Sequence, residues 1–128
     1  MSMFKSTKAF SGFAVNDLEA AKKFYGETLG LEVEQGGQGL RLKIAGGNPT
    51  FVYSKPDHVP ATYTILNFPV DDIDKAVDKL TAAGVKFEHY GKLTDARGIA
   101  RGATTGGGPD IAWFKDPAGN ILSVLQQG

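Results

Sequence analysis

The chain contains no cysteine. Disulfides, thiolate nucleophiles and cysteine-ligated zinc or iron–sulfur centres are thereby excluded. Excess charge of either sign is also missing. Fourteen Lys and Arg balance 14 Asp and Glu, so no strong field draws the protein to nucleic acid or to an anionic membrane surface. Long apolar runs are lacking too. No stretch approaches the roughly 20 consecutive apolar residues needed to cross a bilayer. The opening Met1-Ser2-Met3-Phe4-Lys5 has no apolar signal-peptide core. These absences predict a cytoplasmic protein with no nucleic-acid or membrane partner. At 128 residues the chain is one compact domain, or two half-domains sharing a core.

What is present is a repeat. Val15-Asn16-Asp17-Leu18-Glu19-Ala20-Ala21-Lys22-Lys23-Phe24 returns as Val70-Asp71-Asp72-Ile73-Asp74-Lys75-Ala76-Val77-Asp78-Lys79, an offset of 55. The flanks return as well: Phe13-Ala14-Val15 as Phe68-Pro69-Val70, and Gly30-Leu31-Glu32-Val33-Glu34 as Gly84-Val85-Lys86-Phe87-Glu88. Self-similarity of this length implies two copies of one supersecondary unit. Such a pair tends to enclose a cleft.

Each copy reads as β-α-β-β-β. Residues 8–15 alternate with the period of a strand. Asn16 or Asp17 is placed to cap a helix with Leu18, Ala21, Phe24 or Tyr25, and Leu29 inward, and Gly30 supplies its left-handed stop. Strands follow at about 31–35, 40–45 and 50–54. In the second copy a strand at about 62–68 leads to a helix capped by Asp71, with Ile73, Ala76, Val77, Leu80 and Ala83 inward and Gly84 as its stop. Strands are then expected at about 85–90, 111–115 and 121–126, with Asp116 making the last turn. The first unit is thus placed at about 8–54, a stiff Pro-containing linker at 55–61, and the second unit at about 62–126. The fold class is α+β: two tandem βαβββ units forming a curved mixed-sheet cleft with the helices outside. Residues 91–109 break the repeat, with six glycines, Arg97 and Arg101. A stretch of that kind covers a ligand, meets another subunit or is simply flexible.

The helix sequence DLEAAKKFYGETLGLEVE and the closing DPAGNILSVL resemble the vicinal oxygen chelate superfamily, which includes glyoxalases, bleomycin-resistance proteins and extradiol dioxygenases. The resemblance runs from about Phe10 to Leu125. It implies two half-open sheets around a pocket and a homodimer. Metal-dependent members carry His or Glu ligands on the first and last strand of each unit. The positions this implies here are Phe10, about Phe51, Ile65 and Ser123. Three have no donor atom and the fourth is a neutral hydroxyl, whereas a catalytic divalent ion needs about three His, Asp, Glu or Cys ligands. No metal and no cofactor are therefore expected.

If Phe10 and Ile65 face the cleft, the two-residue period adds Gly12, Ala14, Asn67 and Pro69, with Phe51, Tyr53, Ile121, Ser123 and Leu125. That wall is apolar and aromatic with a few polar marks, as small-molecule sites are, or it fills a closed core. Asn67 must find partners in a ligand or in neighbouring backbone. Trp113 stacks on a flat ligand or sits in the core. Tyr63 and Tyr90 are edge or rim aromatics. Arg101 is a candidate grip for a ligand anion, or a solvated loop charge. The ligand-binding candidates are therefore Phe10, Gly12, Phe51, Tyr53, Ile65, Asn67, Arg101, Trp113 and Ser123. The functional expectation is a metal-independent small-molecule-binding protein that sequesters a neutral aromatic or weakly anionic ligand. The alternative is a metal-free lyase or isomerase using His58 or Tyr53 as acid/base.

Overall fold

The computed structural model describes residues 3–127. The chain parts into two compact units, one ending at His58 and the next beginning at Val59.

In the first unit β1 (Gly12–Val15) leads into α1 (Leu18–Lys23), followed by β2 (Val33–Gly36), β3 (Gly39–Leu42) and β4 (Thr50–Ser54). The sheet order is β1-β4-β3-β2, with β1 parallel to β4 and the other pairs antiparallel. Asp17 is the cap: its carboxylate accepts from the Ala20 N–H at 3.1 Å. The helix then widens into a π-helical turn over Phe24–Thr28. Tyr25 lies in that turn, fully buried, with its ring 5.7 Å from Phe13 and 5.2 Å from Phe24. α1 packs on β3 and β4. Val15, Ala21, Leu40, Leu42 and Val52 are buried with Tyr25. Full burial of each large side chain contributes about 1.5–3 kcal/mol.

The second unit repeats the plan with β5 (Thr64–Pro69), α2 (Ile73–Ala82), β6 (Ile99–Ala100), the single turn α3 (Gly102–Thr105), β7 (Asp110–Lys115) and β8 (Ile121–Gln126). The order is β5-β8-β7-β6, with β5 parallel to β8. The cap is Asp72, accepting from the Lys75 N–H at 3.1 Å, and not Asp71, which is exposed. Asp72 is the residue that the 55-residue offset aligns with Asp17. Gly30 and Gly84 take positive φ, 76° and 97°, as helix stops must. α2 lies against β7 and β8, and Gln126 Oε1 accepts from the Ile73 N–H at 2.9 Å. Ala112, Phe114, Leu122 and Val124 are buried. In the last turn, Asp116 Oδ1 accepts from the Ala118 and Asn120 N–H groups, both at 2.9 Å.

The strand expected at 85–90 does not form as one element. Its residues reach β7 through a bridge between Phe87 and Phe114 and through a bond from the Glu88 N–H to the Trp113 carbonyl at 2.8 Å. The chain then leaves the sheet and returns as β6, pairing Ile99 with Ala112 and Ala100 with Ile111. The outer position beside β7 is thus shared by two short pieces. The segment that interrupts the repeat is part of the sheet and carries buried Ile99, Ala100 and Gly102.

Candidate functional site

Strand register sets which side chains share a face. In the second unit, Trp113 pairs with Ser123 across β7–β8, and Ser123 with Asn67 across β8–β5. These three form one rung, on the face opposite the buried Ala112, Phe114, Leu122 and Val124. Within the rung Ser123, fully buried, donates to Asn67 Oδ1 at 2.6 Å. Asn67 is itself exposed. Its partner is therefore a side-chain hydroxyl, where ligand or backbone was expected.

One rung further, β5 carries an irregularity between Thr64 and Leu66. It brings Thr64 into register with Ile121, on the same face as Trp113. The Trp113 indole N–H donates to Thr64 Oγ1 at 3.1 Å, and its ring meets Tyr90 edge-on with centroids 5.4 Å apart. Ile65, half-buried, sits at the irregularity, so a strict two-residue count through it misplaces its neighbours. No pattern in the sequence marks that bulge, and Thr64 was missed for this reason.

Trp113, Thr64, Tyr63, Tyr90, Leu93 and Ile121 line an open cavity of about 510 Å³. Glu88 and Lys115 stand on its wall, their charged atoms 3.5 Å apart. The cavity thus offers aromatic edges and faces, a hydroxyl and a self-compensated ion pair. Trp113 is the one residue of the sequence-nominated set that lines it.

The first unit has its own hollow. Phe51 and Tyr53 stack with centroids 5.8 Å apart and 19° between ring planes. Gly12 and Ala14 lie in register with them on β1. Phe10 and Phe51 line a hollow of about 300 Å³ with Lys8, Arg41, Asn48 and Pro49.

Two candidates stand elsewhere. Arg101 does not reach out for an anion. Its guanidinium bonds Asp74 on α2 at 2.8 Å and 3.3 Å and Asp95 at 3.3 Å, with Asp110 at 3.7 Å. Arg97 bonds Asp74 and Asp78 alongside it. The Asp74 hydrogen bond comes first in raising the Arg101 pKa, and the same bond comes first in holding the Asp74 carboxyl below its ordinary value. Arg101 thus clamps its own loop to α2. His58 is half-buried and its Nε2 has no hydrogen-bond partner among the described residues. The neighbouring Asp57 carboxylate turns to Lys55 at 2.7 Å, and no ion pair joins His58 to a carboxylate among the described residues.

The sequence model of the Glyoxalase/Bleomycin resistance protein/Dioxygenase superfamily matches residues 9–124. The chain belongs to that superfamily. Among solved structures it is similar to TnmS3, an antibiotic binding protein from Streptomyces sp. CB03234, with 25% identity over 96% of this chain and 98% of that one and a TM-score of 0.65. A glyoxalase/bleomycin resistance protein from the same Streptomyces is 26% identical over 92% of this chain and all of that one, with a TM-score of 0.58. A glyoxalase family protein from Enterococcus faecalis shares the fold at 23% identity, covering 96% and 99% of the two chains with a TM-score of 0.67. No curated protein matches significantly.

The donor positions of metal-dependent superfamily members do not fit an ion in this one. Phe10, Phe51 and Ile65 have no lone pair to give, and the Ser123 hydroxyl is bonded to Asn67. Among the described residues no three His, Asp or Glu side chains are grouped to hold one. Nor is any described helix long and apolar enough to cross a membrane.

Proposed function

We propose that this superfamily member is a small-molecule-binding protein that works without a metal and sequesters a neutral or weakly anionic aromatic compound in the second-unit cavity. The observation that carries this reading is the cavity itself: about 510 Å³ of open space beside a Trp113 whose indole is fixed by Thr64 and Tyr90. A ring already held in place loses little conformational entropy when a flat ligand packs on it. The balance of Glu88 against Lys115 disfavours a ligand of strong charge. Similarity to an antibiotic-binding protein supports a small-molecule ligand for this chain.

Trp113 is the only tryptophan, so its emission reports on this cavity alone. Titration with a panel of neutral polycyclic aromatics, beginning with 2-naphthol, should quench it saturably. Ligand at about 100 times its dissociation constant should stabilise the fold by roughly 2.7 kcal/mol in a thermal-shift assay. Leu93→Asp, which puts a charge on the cavity wall, should remove the response while the protein stays folded. A flat response across the panel would sink the proposal.

A further inference from the structure

The first-unit hollow differs from the second-unit cavity in one chemical respect. Two cations line it and no carboxylate does. Arg41 stands directly across the β3–β4 pair from Phe51. Its other cross-strand neighbour is Glu34, whose carboxylate reaches Lys43 instead, at 3.4 Å. The Arg41 guanidinium extends over Gly36, where an added Cβ would lie 3.9 Å from Nη1, and forms no ion pair among the described residues. Lys8 has none either. In a chain whose charges sum to zero, this hollow is thus lined by two cations that form no ion pair among the described residues.

The apolar part of the hollow is equally particular. Phe10 is 67% exposed, yet its backbone is anchored on both sides. Asn48 Nδ2 donates to the Ala9 carbonyl at 2.8 Å, and the Phe51 N–H donates to the Ser11 carbonyl at 3.0 Å. Opposite, the Phe51 ring rests over Gly39, where an added Cβ would come within 3.0 Å of Cε1, and stacks on Tyr53. An exposed Phe10 on an anchored backbone and a Phe51 ring packed on Gly39 and Tyr53, beside cations with no ion pair among the described residues, suit a molecule that is flat and apolar at one end and anionic at the other. Guanidinium recognises a carboxylate in two-point fashion, and such charge-assisted bonds are about twice as strong as neutral ones.

We infer that the first unit carries a second binding site, in which Phe10 and Phe51 receive the ring of an aromatic carboxylate and Arg41, with Lys8, receives its carboxylate. The site is separate from the Trp113 cavity in residues and in charge, and it stands whether or not that cavity binds a ligand.

The test compares 2-naphthoate with the uncharged 2-naphthol on the intact, isotopically labelled protein by NMR, with Trp113 emission recorded in parallel. Naphthoate should shift the signals of Phe51, Arg41 and the Asn48 side-chain amide, and 2-naphthol should bind there at least tenfold more weakly. Arg41→Gln should weaken naphthoate about tenfold or more, the usual value of a charged hydrogen bond. Lys8→Gln should weaken it less and leave the same signals shifting. Both residues are exposed, and melting curves of the variants check that the fold is kept. Equal affinity for naphthoate and naphthol at Phe51, unchanged affinity in Arg41→Gln, or shifts confined to Trp113 would overturn the inference. So would no shift at about 10 mM ligand, where even a millimolar site is saturated.

Discussion

The Ser123 hydroxyl has no access to water and bonds the exposed Asn67 amide. An unsatisfied buried hydroxyl costs about 1–3 kcal/mol. Asn67→Leu should therefore destabilise the protein by that amount in urea denaturation. Adding Ser123→Ala removes the orphaned group and should return most of the loss. A double variant no more stable than Asn67→Leu would show that the bond does not explain the amide. A sequence reader sees that Asn67 amid Ile65, Leu66 and Phe68 needs a partner. That the partner lies 56 positions away is a property of β5–β8 register and not of local pattern. Arg101 shows the same divide. Its charge is legible, but its three carboxylate neighbours come from α2, the loop and β7.

At the scale of elements, α1 and α2 were legible in outline, because neighbours in sequence specify each: an Asp cap, an apolar stripe and a Gly stop. The α2 cap nevertheless falls one residue past the expected Asp71, and Ala83, expected inward, is exposed just beyond the helix end. The split outer strand of the second unit was not. Ile99 and Ala100 are too few to show a period, and they become strand only by pairing with β7. Beside that pairing, Arg97 ties the segment to Asp74 and Asp78 on α2, and Arg101 ties it to Asp74, Asp95 and Asp110. The Arg101 hydrogen bond, resisted by desolvation and helped by the charges of both arginines, holds Asp74 below its ordinary value of 3.8. At Asp95 burial works to raise the pKa, but the Ile99 and Arg97 N–H groups and Arg101 outweigh it. A carboxyl depressed in the native state stabilises fully above its ordinary value, and that stabilisation is lost as pH falls through the lower native value. Hydrogen-exchange protection at Ile99 and Gly102 should accordingly be level across neutral and mildly acid pH and decline below about 3.8. Arg101→Gln should lower protection at these amides at pH 7 with little change in global stability. Unchanged protection would reduce the ion pairs to surface decoration.

At the scale of the whole molecule, the repeat and the two sequence signatures point to the superfamily on their own, since both are written in contiguous residues. The proposed binding surface was legible only in part. Register gathers Gly12, Phe51 and Tyr53 in one unit, where Phe10 joins Phe51 at the hollow, and Asn67, Trp113 and Ser123 in the other. It does not announce the bulge that delivers Thr64, or that Arg41 beside Phe51 forms no ion pair among the described residues. Membership also raises the question of a metal, and the donor chemistry answers it in terms that a measurement can check. Neutral Ser hydroxyls bind divalent ions poorly, and phenyl and alkyl groups do not bind them at all, so two such positions in each unit leave nothing to replace an ion's hydration shell. Protein purified without chelators should hold well under one tightly bound divalent ion per chain after dialysis. The quenching of Trp113 by 2-naphthol should be the same with EDTA as with added zinc or manganese. A stoichiometric ion that survives dialysis, or a ligand response that EDTA abolishes, would mean that donors outside these four positions assemble a centre, and the metal-independent proposal would fall.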